Sequence, residues 1–257
     1  MAERKGKIRS TGSGSIEVSG FVAAFVGVLV VGGVLIAGVV WWRTGRTSAP
    51  MTADPPPSGA PTAAIPYDAL NGLTAAGEPQ LGLPTAPVEI IEYADYLCPN
   101  CRQFARDVLP AIKDRWIRTG FVRIVRRDFI VFGPEAQRAA EAAHCAGELG
   151  RYWRYADGLY SLRASGETLD TDHLLGLART LDLDTQAFQA CAASGRNRGR
   201  VDATTASAKA QGFSGTPVYL INGRKLEGAI PLDEWVELLR LFEQELGQSR
   251  PLPTSAP

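Results

Sequence analysis

The chain has 257 residues, of which 45% are apolar and 21% are charged, and its 27 basic and 27 acidic side chains give a formal net charge of zero. This composition excludes a disordered or collagen-like chain, and it argues against a nucleic-acid partner, which would need a clustered excess of basic residues. Four cysteines are too few for a disulfide-rich scaffold, so any role they have must come from where they lie.

An uncharged apolar segment at residues 21–42 is the first strong pattern along the chain. As a helix it would be about 33 Å long, enough to cross a hydrocarbon core of about 30 Å, so it predicts a single transmembrane helix. More basic residues precede it than follow it, which favours a cytoplasmic N-terminus at residues 1–20. A signal peptide cleaved shortly after the segment is the alternative, although the apolar part of such peptides is usually shorter.

Residues 43–75 form the next predicted region, a Pro-rich linker. Six prolines fall between residues 43 and 66, and such a stretch cannot bury a core. We therefore expect the folded domain to occupy residues 76–247. The polar, Pro-containing residues 248–257 predict a disordered tail.

The folded domain begins with a predicted strand at residues 88–94, where β-branched and aromatic residues follow two prolines. Beyond it, apolar residues recur every four positions, which indicates a helix beginning near Pro99. These apolar residues are Phe104, Val108, Ile112 and Trp116. Residues 121–126 alternate in polarity and predict a second strand. Strand, helix and strand in this order are typical of a parallel crossover unit.

Helical patterns fill residues 134–195, which we interpret as a helical insertion, and one further helix is expected at about 198–211. Two short strands are predicted on either side of Asn222-Gly223, because this dipeptide is a strong signal for a two-residue hairpin. A last helix is expected to begin at Pro231. The order predicts one α/β sheet with a helical insertion rather than two unrelated domains.

The clearest chemical signal is the Cys-x-x-Cys pair formed by Cys98 and Cys101, at the predicted start of a helix. A thiolate is the reactive form of cysteine, and the free N–H groups of a helix N-terminus stabilise it. We therefore expect Cys98 to be the more acidic and more exposed sulfur, and Cys101 to be buried one turn further in. A static disulfide and half of a zinc site are the alternatives, although the sequence has no second Cys-x-x-Cys or His pair to complete four zinc ligands. We expect no metal and no cofactor.

The segment Ile91-Glu92-Tyr93-Ala94-Asp95-Tyr96-Leu97-Cys98-Pro99-Asn100-Cys101, with Gly215-Thr216-Pro217-Val218-Tyr219 downstream, resembles DsbA-like thioredoxin-fold proteins. It is most similar to the membrane-anchored or lipoprotein branch found in Gram-positive and related bacteria. The resemblance covers about residues 80–247, including the helical insertion and the Asn-Gly hairpin. It implies a thioredoxin fold and thiol–disulfide exchange by the cysteine pair.

In this family a cis-proline loop faces the active disulfide, and Pro217 occupies that position after Thr216. The resemblance implies that the backbone there pairs with an extended substrate. The family also has an acid six residues before the first cysteine, where this chain has Glu92. A buried Glu92 could relay the proton of Cys101, whereas the alternative is a merely solvated carboxylate at the edge of the strand.

The dipeptide between the cysteines, Pro99-Asn100, departs from the Pro-His of the strongly oxidising enterobacterial enzyme that the family contains. A histidine can supply positive charge to the thiolate, whereas asparagine can only donate a hydrogen bond. The resemblance therefore leaves the oxidising strength of this chain open.

Two further cysteines, Cys145 and Cys191, lie on predicted helices of the insertion. Outside the cytoplasm they could pair, and the resemblance favours a structural bridge because similar proteins often carry one; the alternative is two buried free cysteines. His144 is expected on a helix surface, and Tyr160 is interpreted as a packing residue.

Together these patterns predict a membrane-tethered thiol–disulfide oxidoreductase outside the cytoplasm. It would oxidise the thiols of unfolded or reduced secreted proteins through a Cys98–Cys101 disulfide. The resemblance implies a membrane partner of the DsbB or vitamin K epoxide reductase type that reoxidises it. The alternatives are a disulfide reductase or isomerase of the same fold, and a non-catalytic binding module with a structural disulfide.

Overall fold

The computed structural model describes residues 65–248. The predicted cytoplasmic N-terminus, the apolar segment at 21–42, the linker up to residue 64 and the tail from residue 249 lie outside the described residues. Within residues 65–248, no helix combines the length and the apolar character that crossing a membrane requires.

A six-stranded mixed sheet forms the centre of the described part. Its strands are β1 (Asn71–Leu73), β2 (Pro79–Leu81), β3 (Val88–Ala94), β4 (Val122–Asp128), β5 (Val218–Ile221) and β6 (Arg224–Glu227), and their order in space is β1-β2-β4-β3-β5-β6. The central pair, β3 and β4, is parallel, and every other neighbouring pair is antiparallel. The predicted parallel crossover unit is confirmed.

Helix α1 makes the crossover between β3 and β4 and spans residues 99–117. It consists of four consecutive segments that alternate between α-helical and π-helical geometry. These are Pro99–Gln103 (α), Phe104–Val108 (π), Leu109–Ile112 (α) and Lys113–Ile117 (π). The apolar residues spaced four apart in the sequence are all buried on this helix.

Five helices follow β4, and the first four lie within residues 134–195, where the helical insertion was predicted. They are α2 (Pro134–Glu148), α3 (Tyr152–Ala164), α4 (Thr171–Thr180), α5 (Thr185–Ser194) and α6 (Arg198–Ala210). The sequence explains two of their starts, because the carboxylates of Asp170 and Asp184 accept backbone N–H groups at the first turns of α4 and α5.

Two apolar layers enclose the sheet. On one face, Ile90 and Ile124 pack against α1, the insertion and α7 (Leu232–Gln248), the last helix. On the other face, Tyr93 and Val218 pack against Phe213 and Ala208 of the α6 region. The centre of β3 is therefore covered on both sides, and any polar group on it is removed from water.

The hairpin that joins β5 and β6 is formed by Asn222 and Gly223, as predicted. Both residues have positive φ angles, 46° and 82°, which the two central positions of this turn require. The Asn222 side chain also accepts the backbone N–H of Glu89 at 2.8 Å and donates to the carbonyl of Pro87 at 3.2 Å. The turn is thereby tied to the start of β3.

The folded domain begins earlier than residue 76, which corrects the predicted end of the linker. Residues Tyr67–Leu70 form a 3₁₀ turn, and β1 continues directly from it as an edge strand. Leu70 is buried in the main core, and Gly82 donates a backbone hydrogen bond to its carbonyl at 2.9 Å. The sequence did not predict this element, because a strand of three residues is too short to show an alternating pattern.

Candidate active site

Cys98 lies at the N-cap position of α1, with extended backbone angles, and Pro99 is the first helical residue. Proline suits that position because the N–H it lacks would have no partner inside the helix. Both Cys98 and Cys101 are free thiols in the structure. Pro99 and Asn100, between them, are exposed to solvent.

Cys98 is the more exposed of the two residues, as expected, but it is only 3% exposed, and Cys101 is fully buried. The loop before β5 accounts for the burial of Cys98. The Cys98 thiol donates to the carbonyl oxygen of Thr216 at 3.2 Å, so this loop lies directly over the sulfur. The next peptide bond, Thr216–Pro217, is cis.

The two sulfurs differ strongly in acidity. A hydrogen bond with the Cys101 thiol lowers the pKa of Cys98 to about 6; burial opposes this, while the Thr216 side chain and the first N–H groups of α1 assist it. Burial raises the pKa of Cys101 well above its usual value, and the neighbouring Cys98 acts in the same direction. The arrangement therefore favours a thiolate at Cys98 and a thiol at Cys101.

Glu92 is completely buried on the central strand β3, which excludes a solvated carboxylate at the strand edge. It is the register partner of Arg126 on β4 and of Tyr219 on β5. The guanidinium of Arg126 lies 3.1 Å from Oε2 of Glu92, and both side chains are almost fully removed from solvent. Burial raises the pKa of Glu92, although the charge of Arg126 opposes the rise.

Aromatic rings surround the buried guanidinium of Arg126. The rings of Tyr96, Trp153 and Tyr160 have their centroids 5.6, 5.9 and 5.6 Å from it. The Tyr160 hydroxyl also accepts a hydrogen bond from Arg126 at 2.9 Å. Tyr160, interpreted from the sequence as packing, therefore contacts the charged pair directly. No sequence pattern would have shown this, because the contact joins the insertion to β4.

Asp95 is a residue of this region that the sequence did not single out. Its buried carboxylate accepts three backbone N–H groups, from Leu97 at 2.8 Å, Val131 at 2.8 Å and Phe132 at 3.0 Å. These bonds join the segment before Cys98 to the loop after β4. Val131 and Phe132 are 46% and 48% exposed, so Asp95 holds an apolar tip beside the cysteine loop.

The remaining two cysteines form a disulfide between α2 and α5. The sulfurs of Cys145 and Cys191 are bonded, and both residues are buried. His144, expected on the surface, is instead buried, with Nε2 2.7 Å from Oδ2 of Asp128 at the end of β4. The expectation was wrong because α2 is Ala-rich, and its small side chains let the helix pack closely against its neighbours on most of its circumference.

A family model described as "Thioredoxin" matches residues 74–240 of the chain, a range that contains both cysteine pairs, Glu92 and Pro217. The match also covers the whole helical insertion. It therefore places the sheet and the insertion in one family unit, as the fold does.

Among curated proteins, the Na(+)/H(+) antiporter NhaA 3 of Salinispora tropica is 37% identical over 145 residues, which are 56% of this chain and 21% of that protein. The probable disulfide bond formation protein D of Bacillus cereus is 26% identical over 149 residues, which are 56% of this chain and 69% of that protein. The chain thus spans about a fifth of the length of the antiporters it matches.

Solved structures show the same fold. The crystal structure of Wolbachia pipientis alpha-DsbA1 has a TM-score of 0.62 and 23% identity, and the match covers 72% of this chain and all of that one. Oxidised BdbD from Bacillus subtilis has a TM-score of 0.59 and 22% identity, with 66% and 96% covered. At these identities the likeness establishes a DsbA-type thioredoxin fold.

Proposed function

The chain belongs to the thioredoxin family, and on that premise we propose that it is a membrane-tethered thiol–disulfide oxidoreductase that oxidises protein thiols outside the cytoplasm. The observation that carries the proposal is the pairing of an acidic Cys98 at the N-terminus of α1 with a buried Cys101 one turn away. A structural cysteine pair has no need for two sulfurs of such different acidity.

In the proposed reaction, a substrate thiolate attacks Cys98 of the Cys98–Cys101 disulfide. The enzyme disulfide breaks, a mixed disulfide forms at Cys98, and Cys101 leaves as a thiolate that takes up a proton. The second substrate thiolate then attacks the substrate sulfur of the mixed disulfide, and Cys98 leaves as a thiolate. Because its pKa is about 6, Cys98 is a good leaving group at neutral pH. The substrate is oxidised by two electrons, and the enzyme is reduced by two.

Glu92 is proposed to supply and remove the proton of Cys101. It lies on the strand beneath α1, its carboxyl is buried, and its charge acts on the Cys101 thiol. A carboxyl with a raised pKa keeps its proton to a higher pH than an exposed carboxyl does, and it can give that proton to a leaving thiolate.

Thr216 and Pro217 are proposed to bind the substrate. The Thr216 carbonyl lies 3.2 Å from Cys98 Sγ, so a peptide that reaches the sulfur must pass along this loop. The exposed Val131 and Phe132, which Asp95 ties to the segment before Cys98, offer an apolar contact. Unfolded proteins present apolar side chains and extended backbone, which suits both features.

The proposed location rests on the apolar segment at 21–42 and on the Cys145–Cys191 bridge, since disulfides persist in oxidising compartments. A cysteine placed at the exposed Ser165, in a Cys98→Ser/Cys101→Ser background, tests it. A membrane-impermeant thiol reagent should label this residue in intact cells. Labelling only after lysis, with a permeant reagent reacting in both cases, would refute the location.

A membrane partner of the DsbB or vitamin K epoxide reductase type is proposed as the reoxidant. Equilibration of the purified protein with glutathione buffers tests the direction of the reaction. We expect a reduction potential between the thioredoxin value of about −270 mV and the DsbA value of about −120 mV. A potential at or below the thioredoxin value would make the protein a reductase. A pair that stays oxidised in every buffer and in cells would make it a binding module with a structural disulfide.

A further inference from the structure

The loop after β4 presents two adjacent apolar side chains to solvent. Val131 is 46% exposed and Phe132 is 48% exposed, and we call this pair the apolar tip. The other large apolar side chains that residues 65–248 expose lie singly on regular elements, Leu73 on β1 and Leu232 and Leu241 on α7. Single exposed apolar residues are common on folded proteins, so the adjacent pair in a loop is the feature to explain.

The backbone of the apolar tip is fixed although its side chains are exposed. Four successive backbone N–H groups, those of residues 129–132, donate hydrogen bonds to partners outside the loop. Those of Val131 and Phe132 both donate to Oδ2 of Asp95, at 2.8 and 3.0 Å. A loop held in this way can bind another apolar group without first losing conformational freedom of its own.

Asp95 connects the apolar tip with the cysteine pair. Its other carboxylate oxygen, Oδ1, accepts the N–H of Leu97, the residue directly before Cys98, at 2.8 Å. The backbone carbonyl of Asp95 accepts the N–H of Cys98 at 3.1 Å, and its own N–H donates to the sulfur of Cys101. Asp95 is fully buried, so one residue inside the protein contacts both cysteines and both N–H groups of the tip.

We propose that Asp95 is a positioning residue that fixes the apolar tip relative to Cys98, so that the tip binds an apolar side chain of the substrate. The inference rests on the proposed function and adds a substrate class to it, unfolded chains that carry apolar residues beside the reactive cysteine. Asp95 itself touches no atom of the substrate. It acts through the N–H groups of Leu97, Val131 and Phe132.

The two oxygens of Asp95 serve different segments, which makes Asp95→Asn a direct test. Leu97 donates to one oxygen, and the tip donates to the other. An asparagine of nearly the same size has a single acceptor oxygen, and its NH₂ group can only donate. It can therefore keep either Leu97 or the tip, and the connection between them is lost in both orientations.

The test follows a single turnover of the oxidised full-length protein with two reduced peptides of equal length, each with two cysteines. One peptide has phenylalanine and leucine beside its first cysteine, and the other has serine at both positions. Acid quenching, alkylation and mass spectrometry give the second-order rate constant for each peptide. We expect the wild-type protein to oxidise the apolar peptide about tenfold faster. That preference corresponds to about 1.4 kcal/mol, which partial burial of one large apolar side chain can supply.

In Asp95→Asn the preference for the apolar peptide should fall to less than twofold. A general loss of stability or of thiol reactivity would slow both peptides equally and leave the preference intact. Asp95→Ser, whose one hydroxyl oxygen also cannot serve both segments, is the second variant if Asp95→Asn does not fold. Phe132→Ser removes the apolar contact at an exposed position and should lower the preference in the same way. Adding Asp95→Asn to Phe132→Ser should lower it no further, because both changes remove one contact.

Two variants are matched controls and should keep the preference. Leu241→Ser removes an apolar side chain that is 51% exposed on α7. Asp170→Asn changes a carboxylate that accepts two backbone N–H groups at the start of α4.

A preference that falls by less than twofold in Asp95→Asn would overturn the positioning role. Equal rates of the wild-type protein with the two peptides, or an unchanged preference in Phe132→Ser, would overturn the tip as a binding site. An equal fall in either control would overturn both. A wild-type protein that oxidises neither peptide would instead refute the proposed function.

Discussion

Glu92 and Arg126 are register partners on the two central parallel strands, and their side chains meet in an ion pair that solvent does not reach. The desolvation of two such charges costs about as much as their attraction returns, so the pair adds little net stability. Removing one partner is a different matter, because it leaves the other charge buried and uncompensated. The pair therefore affects the protonation of Glu92 more than it affects the stability of the sheet.

Arg126→Met should lower the free energy of unfolding by about 3–5 kcal/mol at pH 8, because it leaves the Glu92 carboxylate buried without its counter-charge. The pKa of Glu92 is already raised in the folded protein and would rise further, so its contribution to stability is present at low pH and lost as the pH rises through that pKa. The loss should therefore be smaller at pH 5. Urea unfolding at both pH values measures it.

Arg127→Met is the matched control for this prediction. Arg127 is the next residue on β4, lies on the opposite face, is 27% exposed in its side chain and pairs with Glu78. Its loss should cost only about 0.2–1 kcal/mol. An Arg126→Met variant that loses the same free energy at pH 5 and pH 8 would contradict an ionised pair.

Cys101→Ser should trap covalent complexes with substrate proteins, because the mixed disulfide at Cys98 then has no second thiol to resolve it. Cys98→Ser should trap few, since Cys101 is fully buried and its raised pKa disfavours the thiolate. Non-reducing gels of cell extracts compare the two variants. Equal trapping by both would show that either sulfur can act as the nucleophile.

Thiolate absorbance of the reduced protein should titrate with a midpoint at pH of about 6, the pKa of Cys98. Because this pKa lies below the ~8.5 of an unfolded thiol, the stability it contributes is present above pH ~8.5 and lost as the pH falls through 6. The unfolding free energy of the reduced protein, relative to that of the oxidised protein, should therefore fall as the pH is lowered from about 8.5 to about 6. The raised pKa of Cys101 acts only at higher pH. A relative stability that is constant from pH 8.5 to 6 would contradict the assignment.

Asn100→His should raise the reduction potential and lower the pKa of Cys98 together. Asn100 is exposed beside the thiolate, and an imidazolium there would stabilise the negative charge of the reduced form. Asn100→Ala is the control. Because it adds no charge, it should neither raise the reduction potential nor lower the pKa of Cys98. A rise in potential without a fall in the pKa would show that residue 100 acts on the disulfide form instead.

Sequence patterns were enough for the elements that carry their own periodicity. The strand at 88–94, the helices of the insertion and the Asn222-Gly223 turn were predicted because each is determined by its own residues and their immediate neighbours. Strands β1 and β2 were missed because each has only three residues. They form because β2 pairs with the edge of β4 and β1 pairs with β2, and the residues of such short strands do not show which strand they will pair with.

Within the site, Cys98, Cys101 and Pro217 were predictable from the motifs, whereas their surroundings were not. The burial of Cys98 depends on Thr216, 118 positions away in the sequence. The contact of Tyr160 with Arg126 joins residues 34 apart. Such long-range contacts are set by how the insertion docks on the sheet, and a single sequence carries no signal for that packing.

The π-helical segments of α1 explain why residues four positions apart are all buried on it. They also mean that the insertion or deletion of a residue would change which side chains face the core. On a regular α-helix of 3.6 residues per turn, positions four apart drift by about 40° per step, or about 120° from Phe104 to Trp116. Yet Phe104, Val108, Ile112 and Trp116 are all buried, because the wider π turns cancel that drift. Deleting one residue between 104 and 108 would restore the narrower turn and rotate everything beyond it by about 100°. Trp116 would turn out of the core, and Lys113 would lose its ion pair with Asp157, so the length of this helix is constrained as tightly as its composition.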